Sequence, residues 1–202
     1  LAFTLALTLP DVSADWLRAY AEGLNRMATH CGLALVGGDT TRGPLSLTMT
    51  VFGSVPAGQA LTRGGARPGD LVCVGGELGN AAGALPLVLG EREAEATLAG
   101  PLLSHYWSPS PQLALGQALR GKATAALDIS DGLLADCGHI ATASKVALRL
   151  DLERLPLSSA LLGFLGRDRA RQAALTGGDD YIIAFTLPPA ELDLSLIHIS
   201  DG

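Results

Sequence analysis

At residues 127–132 the chain reads Leu-Asp-Ile-Ser-Asp-Gly, an aspartate-rich turn between two apolar patterns. Residues 124–127 have the character of the end of a buried strand, and the apolar residues that follow the turn recur at helical spacing. Ser130 is well placed as the N-cap of that helix. Asp128 and Asp131 therefore lie between a strand end and a helix start, where chains commonly present functional groups.

Two interpretations of this turn stay open from the residues alone. Asp131 caps the helix beside Ser130, and the helix dipole then offsets the crowding of negative charge by roughly 0.3–1 kcal/mol. In the alternative, the two carboxylates hold a divalent cation, which would offset that crowding by far more.

The composition limits the class of protein. The 202 residues are 48% apolar, which is enough for one large core or two modest ones. The net charge is −6 and no basic stripe is present, which argues against nucleic acid as a partner. Residues 1–9 are apolar but too short to span a bilayer and lack the charged start of a signal peptide, so no membrane association is expected.

Three cysteines, Cys31, Cys73 and Cys137, are widely spaced and embedded in apolar sequence. They indicate reduced core residues of a cytoplasmic protein, because neither a disulfide nor a zinc framework has this spacing.

A second acidic stretch is found at residues 37–44, Gly-Gly-Asp-Thr-Thr-Arg-Gly-Pro. We expect a loop here, between a short buried strand at 33–36 and a half-buried strand at 45–51 with strict alternation. Asp39 and the threonines supply hard oxygens, and Arg42 supplies a fork that suits phosphate. An ordinary turn that uses these residues for their turn chemistry is the alternative.

The third acidic stretch, residues 177–181, reads Gly-Gly-Asp-Asp-Tyr before a predicted strand at 182–187, and a solvated turn is again the alternative. Residues 146–150 also read as a strand. The glycine-rich turn at 75–83 could cradle phosphate, but it is not a P-loop, since the G-x-x-x-x-G-K-[ST] pattern is absent.

Taken together, the three acidic stretches favour magnesium, which prefers carboxylate and hydroxyl oxygens and shares its ligands with phosphates. Arg42 and Arg63 could then carry the remaining phosphate charge. The chemistry that these residues predict is phosphoryl transfer or ATP-driven activation.

These motifs resemble thiamine-monophosphate kinase, within the broader aminoimidazole-ribonucleotide synthetase superfamily of ATP-binding enzymes. The resemblance follows family order over nearly all of residues 1–187 and is most specific in the Gly-Gly-Asp-Thr-Thr-Arg-Gly-Pro run. The segments that carry it are residues 35–45, 61–70, 109–111, 128–133 and 177–181.

The resemblance implies an α/β (α+β) protein with two domains per chain, in which mixed sheets are flanked by helices. Residues 1–57 would be the remainder of an N-terminal ATP-binding and dimerisation domain, residues 58–193 an incomplete C-terminal α/β domain, and residues 194–202 a non-native tail. It further implies a cytoplasmic homodimer that converts thiamine monophosphate and ATP to thiamine diphosphate and ADP with Mg²⁺.

The resemblance also assigns site residues by position. Metal ligands would be Asp39, Asp128 and Asp131; ATP contacts would be Gly38, Asp39, Arg63 and Ser130; the thiamine end would be bound by Asp179 and Asp180. Asp131 and Arg63 would be catalytic. Because the acceptor is already an anionic phosphate, no strong base is required, and direct in-line transfer is the simplest mechanism.

Two departures from the family pattern matter. The usual G-G-E-D-Y-E-L reads Gly-Gly-Asp-Asp-Tyr-Ile-Ile at 177–183, which affects the predicted substrate contacts. The acidic motifs expected before Leu1 and the usual C-terminal end are missing, so weak or no turnover is expected of this chain alone. A related synthetase of the superfamily and a catalytically inert nucleotide-binding fragment are the alternatives.

Overall fold

The structure, a computed structural model, describes residues 1–192. The tail expected at 194–202 lies outside the described residues. The chain divides into two compact units, Leu1–Gly58 and Gln59–Gly202. The functional roles assigned above to the two domains stay predictions.

The first unit is a three-stranded sheet in the order β2-β1-β3 with one long helix. Its elements are β1 (Ala2–Leu9), α1 (Ala14–His30), β2 (Ala34–Arg42) and β3 (Ser46–Phe52). β1 is parallel to β2 and antiparallel to β3. Ser13 caps α1, because its hydroxyl accepts the Trp16 N–H at 3.3 Å.

The loop expected at 37–44 is, over residues 37–42, instead the second half of β2. Asp39 lies opposite Ala6 in the parallel register, so the segment is fully extended. Gly38 has φ +151°, and a Cβ there would collide with the backbone oxygen of Leu5. The glycine therefore serves close approach of two strands rather than a turn. All residues of β2 and β3 are exposed in the described single chain, so the predicted burial at 33–36 and 45–51 is also wrong.

The second unit combines a three-stranded sheet with six helices among its described residues. The elements are β4 (Leu71–Val74), α2 (Asn80–Val88), α3 (Ala96–Trp107), α4 (Leu113–Ala118), β5 (Ala125–Asp128), α5 (Leu133–Ser144), α6 (Ser159–Leu165), α7 (Arg167–Thr176) and β6 (Ile183–Leu187). The strand β6 is central, in the order β4-β6-β5, and both of its neighbours run antiparallel to it. The mixed α/β class predicted from the sequence is confirmed.

A buried cluster of apolar side chains supports the turn at residues 127–132. Ile129 and Leu133 pack there with Leu78 and Ala184, all almost fully shielded from solvent. Because Ile129 alternates with Asp128 and Ser130, its burial directs the turn's polar neighbours away from the core. The side-chain amide of Gln112 joins the segments around Gly75 and Ile183. It donates to the Gly75 carbonyl and accepts the Ile183 N–H, each at 2.7 Å.

The cysteines of the described residues are free thiols. Cys137 belongs to the same apolar cluster, in agreement with the prediction of a core residue. Burial, with a smaller contribution from the neighbouring Asp136, raises the pKa of Cys137 to about 11. The thiol therefore stays protonated at neutral pH.

The predicted strand at 146–150 is absent. The segment does show alternating burial, and Leu148 and Leu150 pack against the core, but no described strand forms a ladder with it. It lines a cavity of about 1010 Å³ whose wall also includes β4. The alternation of apolar residues at 146–150 thus correctly predicted which side chains face the core. It wrongly predicted that the segment is hydrogen-bonded in a sheet.

Gly177 provides a test of how tightly α2 and α7 pack. A Cβ at Gly177 would collide with the Ala82 Cβ and lie 2.5 Å from the Ala173 carbonyl oxygen. We expect Gly177→Ala to lower the free energy of unfolding of the second unit by about 1–3 kcal/mol, measured by urea denaturation. Gly138→Ala is the matched control: it adds the same methyl group within α5, where nothing lies within 4 Å. It should stabilise by about 0.5–1 kcal/mol, and equal effects of the two changes would contradict the packing argument.

Candidate active site

Two of the three acidic stretches meet in the second unit. Their backbones continue the ladder between β5 and β6: Ile129 N–H donates to the Ile182 carbonyl at 2.8 Å, and Tyr181 N–H donates to the Ile129 carbonyl at 2.8 Å. The Asp179 N–H adds a bond of 2.9 Å to the Ser130 carbonyl. Residues 128–131 and 179–181 are therefore presented together at one end of the sheet.

The electrostatics of Tyr181 show that three carboxylates share this surface. Its hydroxyl donates to Asp179 Oδ1 at 2.9 Å. That hydrogen bond and the charge of Asp179 raise the phenol pKa, and the charges of Asp128 and Asp131 raise it further. Since the side chains of all three aspartates are exposed, the second unit presents a concentrated negative field to solvent.

Glycines allow the two turns to approach this closely. A Cβ at Gly178 would collide with the Ser130 carbonyl oxygen, and one at Gly132, with φ +112°, would lie 2.9 Å from the carbonyl carbon of Thr176. Asp179 and Tyr181 also have positive φ values, +66° and +51°. Such conformations are strained for residues with a Cβ, and in a bulky tyrosine they are rare.

The helix after the first turn begins later than the sequence predicts. α5 starts at Leu133 with Gly132 as its N-cap, and no side chain caps it. The prediction that Ser130 is the N-cap is therefore wrong, and so is the alternative that Asp131 merely caps the helix. Asp131 is exposed and makes no side-chain hydrogen bond within residues 1–192, which leaves its carboxylate available.

Asp136 is a supporting residue that the sequence analysis missed. It is only 2% exposed, and its Oδ2 accepts the N–H groups of Ser130 and Asp131 at 3.0 and 3.1 Å. In a capping box, a side chain in the first turn of a helix accepts a hydrogen bond from a backbone N–H group that precedes the helix, and Asp136 acts in a similar way. An acidic residue at the start of a predicted helix is therefore the sequence signal by which Asp136 could have been found.

Asp180 corrects a second prediction. Its side chain has no exposed surface, and its Oδ2 accepts the Gly79 N–H at 2.7 Å, with a longer bond of 3.4 Å from the Ala81 N–H to Oδ1. The carboxylate thus sits at the N-terminus of α2, which has no side-chain cap of its own. A carboxylate held in the interior does not reach a substrate in this conformation, so Asp180 has a structural role.

The remaining predicted site residues are placed as follows. Gly38 and Asp39 belong to the first unit, and Asp39 is exposed with its Oδ1 accepting the Thr40 N–H at 2.8 Å. Arg63 belongs to the second unit: its side chain is exposed, and its carbonyl accepts the Ser144 hydroxyl at 3.2 Å.

The donor chemistry fits magnesium in kind. Asp128 and Asp131 offer exposed carboxylate oxygens without histidine or cysteine beside them, as a hard divalent cation prefers. Within the described part of the chain, however, no group of three or more His, Cys, Asp or Glu side chains lies close enough to hold a metal ion by itself. Any such ion would therefore need ligands beyond these residues.

Known proteins match this chain at two levels: a family model matches its first part, and whole proteins match nearly all of it. Residues 1–55 match the family model of AIR synthase related protein, N-terminal domain. The thiamine-monophosphate kinase of Escherichia coli K12 is 44% identical over 97% of this chain. The thiamine-monophosphate kinase of Stenotrophomonas maltophilia K279a, a crystal structure, is 47% identical over 96% of this chain with a TM-score of 0.91.

By sequence, the chain is similar over nearly all of its length to thiamine-monophosphate kinases.

The chain spans 62% of the length of the E. coli thiamine-monophosphate kinase and 63% of the S. maltophilia one. A further solved structure, AaThiL complexed with AMPPCP and TMP, is 28% identical over 96% of this chain and 63% of its own, with a TM-score of 0.84. Every helix within residues 1–192 is too short or too polar to span a membrane.

The negative field at Tyr181 makes a spectroscopic prediction. Asp179→Asn removes the main cause of the raised phenol pKa, so ionisation of Tyr181 should shift to lower pH in an alkaline titration followed by phenolate absorbance. Tyr181→Phe identifies the signal among the tyrosines, and Asp168→Asn, an exposed acid elsewhere, is the control. An unchanged titration in Asp179→Asn would contradict the assigned hydrogen bond.

Asp136 makes a stability prediction. Asp136→Ala leaves the N–H groups of Ser130 and Asp131 without their acceptor in a partly buried place, and should destabilise the second unit by about 1–3 kcal/mol in chemical denaturation. Asp136→Asn retains an acceptor oxygen and should cost clearly less. If the two variants lose the same stability, the backbone hydrogen bonds do not hold the turn.

Proposed function

We propose that the whole protein to which this chain belongs transfers the γ-phosphoryl group of ATP to thiamine monophosphate, giving thiamine diphosphate and ADP in the cytoplasm. The observation that carries the proposal is the 44% identity to the E. coli thiamine-monophosphate kinase over 97% of the chain. It is supported by the joint presentation of Asp128, Asp131 and Asp179 in the second unit.

In this proposal the exposed carboxylates hold Mg²⁺ with the nucleotide. Asp39, Asp128 and Asp131 would be the metal ligands, and Gly38, Asp39, Arg63 and Ser130 would contact ATP. Bound magnesium would supply neutralisation of the charge on the transferring phosphoryl group. Because only some of the ligands come from the described side chains, phosphate oxygens and water would complete the coordination.

Asp179 would serve the thiamine end. Its Oδ1 is occupied by the Tyr181 hydroxyl, which leaves Oδ2 available beside an exposed aromatic ring. A carboxylate and a ring suit a cationic heteroaromatic substrate. Since the acceptor is a phosphate anion, it requires no general base, and we propose direct in-line transfer.

We further propose a homodimer through the first unit. Leu47, Met49 and Val51 of β3 are each more than 40% exposed in the described single chain. A row of apolar side chains on a strand is costly to leave in water, and a second copy would cover it.

Nucleotide binding is the direct test on this chain. In a calorimetric titration with AMPPCP, we expect binding that strengthens when Mg²⁺ is present. Asp131→Asn should weaken the magnesium-dependent part by about tenfold or more, because a ligand charge is lost. Asp168→Asn, which removes an equal charge from the first turn of α7, should leave the titration unchanged. Equal binding with and without Mg²⁺ would contradict the metal assignment.

Turnover separates the proposal from its alternatives. In a full-length enzyme carrying these residues, thiamine monophosphate should be the phosphoryl acceptor, and Asp131→Asn should cut the rate by orders of magnitude while folding is retained. Activity with formylglycinamidine ribonucleotide alone would indicate a related synthetase. Binding of AMPPCP without any product from ATP would indicate an inert nucleotide-binding module.

A further inference from the structure

His105 is a buried histidine that the proposed chemistry does not use. It lies in the last turn of α3, and its ring is four-fifths shielded from solvent. Its Nε2 is buried and has no hydrogen-bond partner within residues 1–192. The nearest carboxylate oxygen is Asp180 Oδ1, at 3.5 Å.

The two oxygens of Asp180 are unequally satisfied. Oδ2 accepts the Gly79 N–H at 2.7 Å, whereas Oδ1 has only the 3.4 Å contact with the Ala81 N–H. A buried carboxylate oxygen is costly unless a donor reaches it. Nε2 of His105 is a ring nitrogen that becomes a donor when it carries the proton.

We propose that His105 is a positioning residue for the turn at 177–181. In this proposal the proton of the ring resides on Nε2 and is donated to Asp180 Oδ1, which completes the hydrogen bonding of the carboxylate. His105 then acts on the exposed surface through Asp180, without touching a substrate.

The backbone on either side of Asp180 explains why this contact matters. Asp179 and Tyr181 both have left-handed φ values, and such strained residues persist only where surrounding contacts hold them. Asp180 points inward between them and fixes the turn to the start of α2. Its neighbours are thereby turned outward, where the Tyr181 hydroxyl meets Asp179.

The consequence for catalysis rests on the proposed function, because it requires Asp179 to serve the thiamine end. The contact itself does not rest on it. Both experiments below therefore read the protein without turnover, so that failure of the contact and failure of the kinase assignment are distinguishable.

The tautomer of His105 is the first test, and it uses the unaltered chain. Nitrogen-15 NMR of the histidines at neutral pH should show His105 with its proton on Nε2. A neutral ring protonated on Nδ1 alone would overturn the proposal, since Nε2 would then have no proton to donate.

Two substitutions form the second test. His105→Gln retains an N–H donor near the position of Nε2, whereas His105→Leu fills the space without one. In His105→Leu, amide exchange of Gly79 and Ala81 should accelerate by about tenfold or more, and the alkaline titration of Tyr181 should move to lower pH. His105→Gln should restore both readouts toward those of the unaltered chain.

The outcomes decide in both directions. If His105→Leu leaves exchange and titration unchanged, or if His105→Gln is as disturbed as His105→Leu, the proposed hydrogen bond is not what positions the turn. If His105→Leu does not fold, the tautomer measurement on the unaltered chain decides alone.

Discussion

The backbone hydrogen bonds that join residues 129–130 to residues 179–182 are the interaction on which the second unit depends. They extend the antiparallel ladder of β5 and β6 beyond its regular end. Two turns that lie about 50 residues apart in sequence are thereby brought together. The buried Ile129 side chain anchors this ladder in the apolar core. The positions of the acidic residues on the surface are therefore set by the packing of the core.

The aspartates of these turns fall into two physical classes. Asp136 and Asp180 are buried and accept backbone N–H groups, which compensates the cost of removing a charge from water. Asp128, Asp131 and Asp179 remain exposed and give the surface its negative field. The buried carboxylates therefore stabilise the backbone conformation of the turns, and that conformation positions the exposed carboxylates.

Much of this arrangement could be predicted from the sequence. The α/β class was implied by the resemblance of the motifs, and the strand predicted at 182–187 follows from its apolar run, which is a local signal. The expectation that the acidic stretches are functional rests on residue type and stays a prediction. The α7 helix was not predicted, because residues 167–176 hold four charged residues, three alanines and only one large apolar residue, which gives little apolar periodicity.

The errors arose where long-range contacts decide the outcome. Gly38 looked like a turn residue, but it is required for the approach of Leu5 on another strand. Asp179 and Asp180 are adjacent and chemically identical, and only the position of α2 determines that Asp180 is buried while Asp179 is exposed. Ser130 looked like the N-cap of α5, but the helix begins at Leu133 after Gly132, and Asp136 inside the helix bonds back to the turn that precedes it.

The turn at 127–132 is fastened by main-chain groups and by one carboxylate from the helix that follows it, whereas the side chain of Asp131 takes no part in holding it. In protein engineering, such a turn can serve as a scaffold on which the exposed side chain is exchanged without loss of the backbone conformation. Replacing Asp131 by other ligands would alter which cation the surface prefers, and the scaffold beneath would tolerate the exchange.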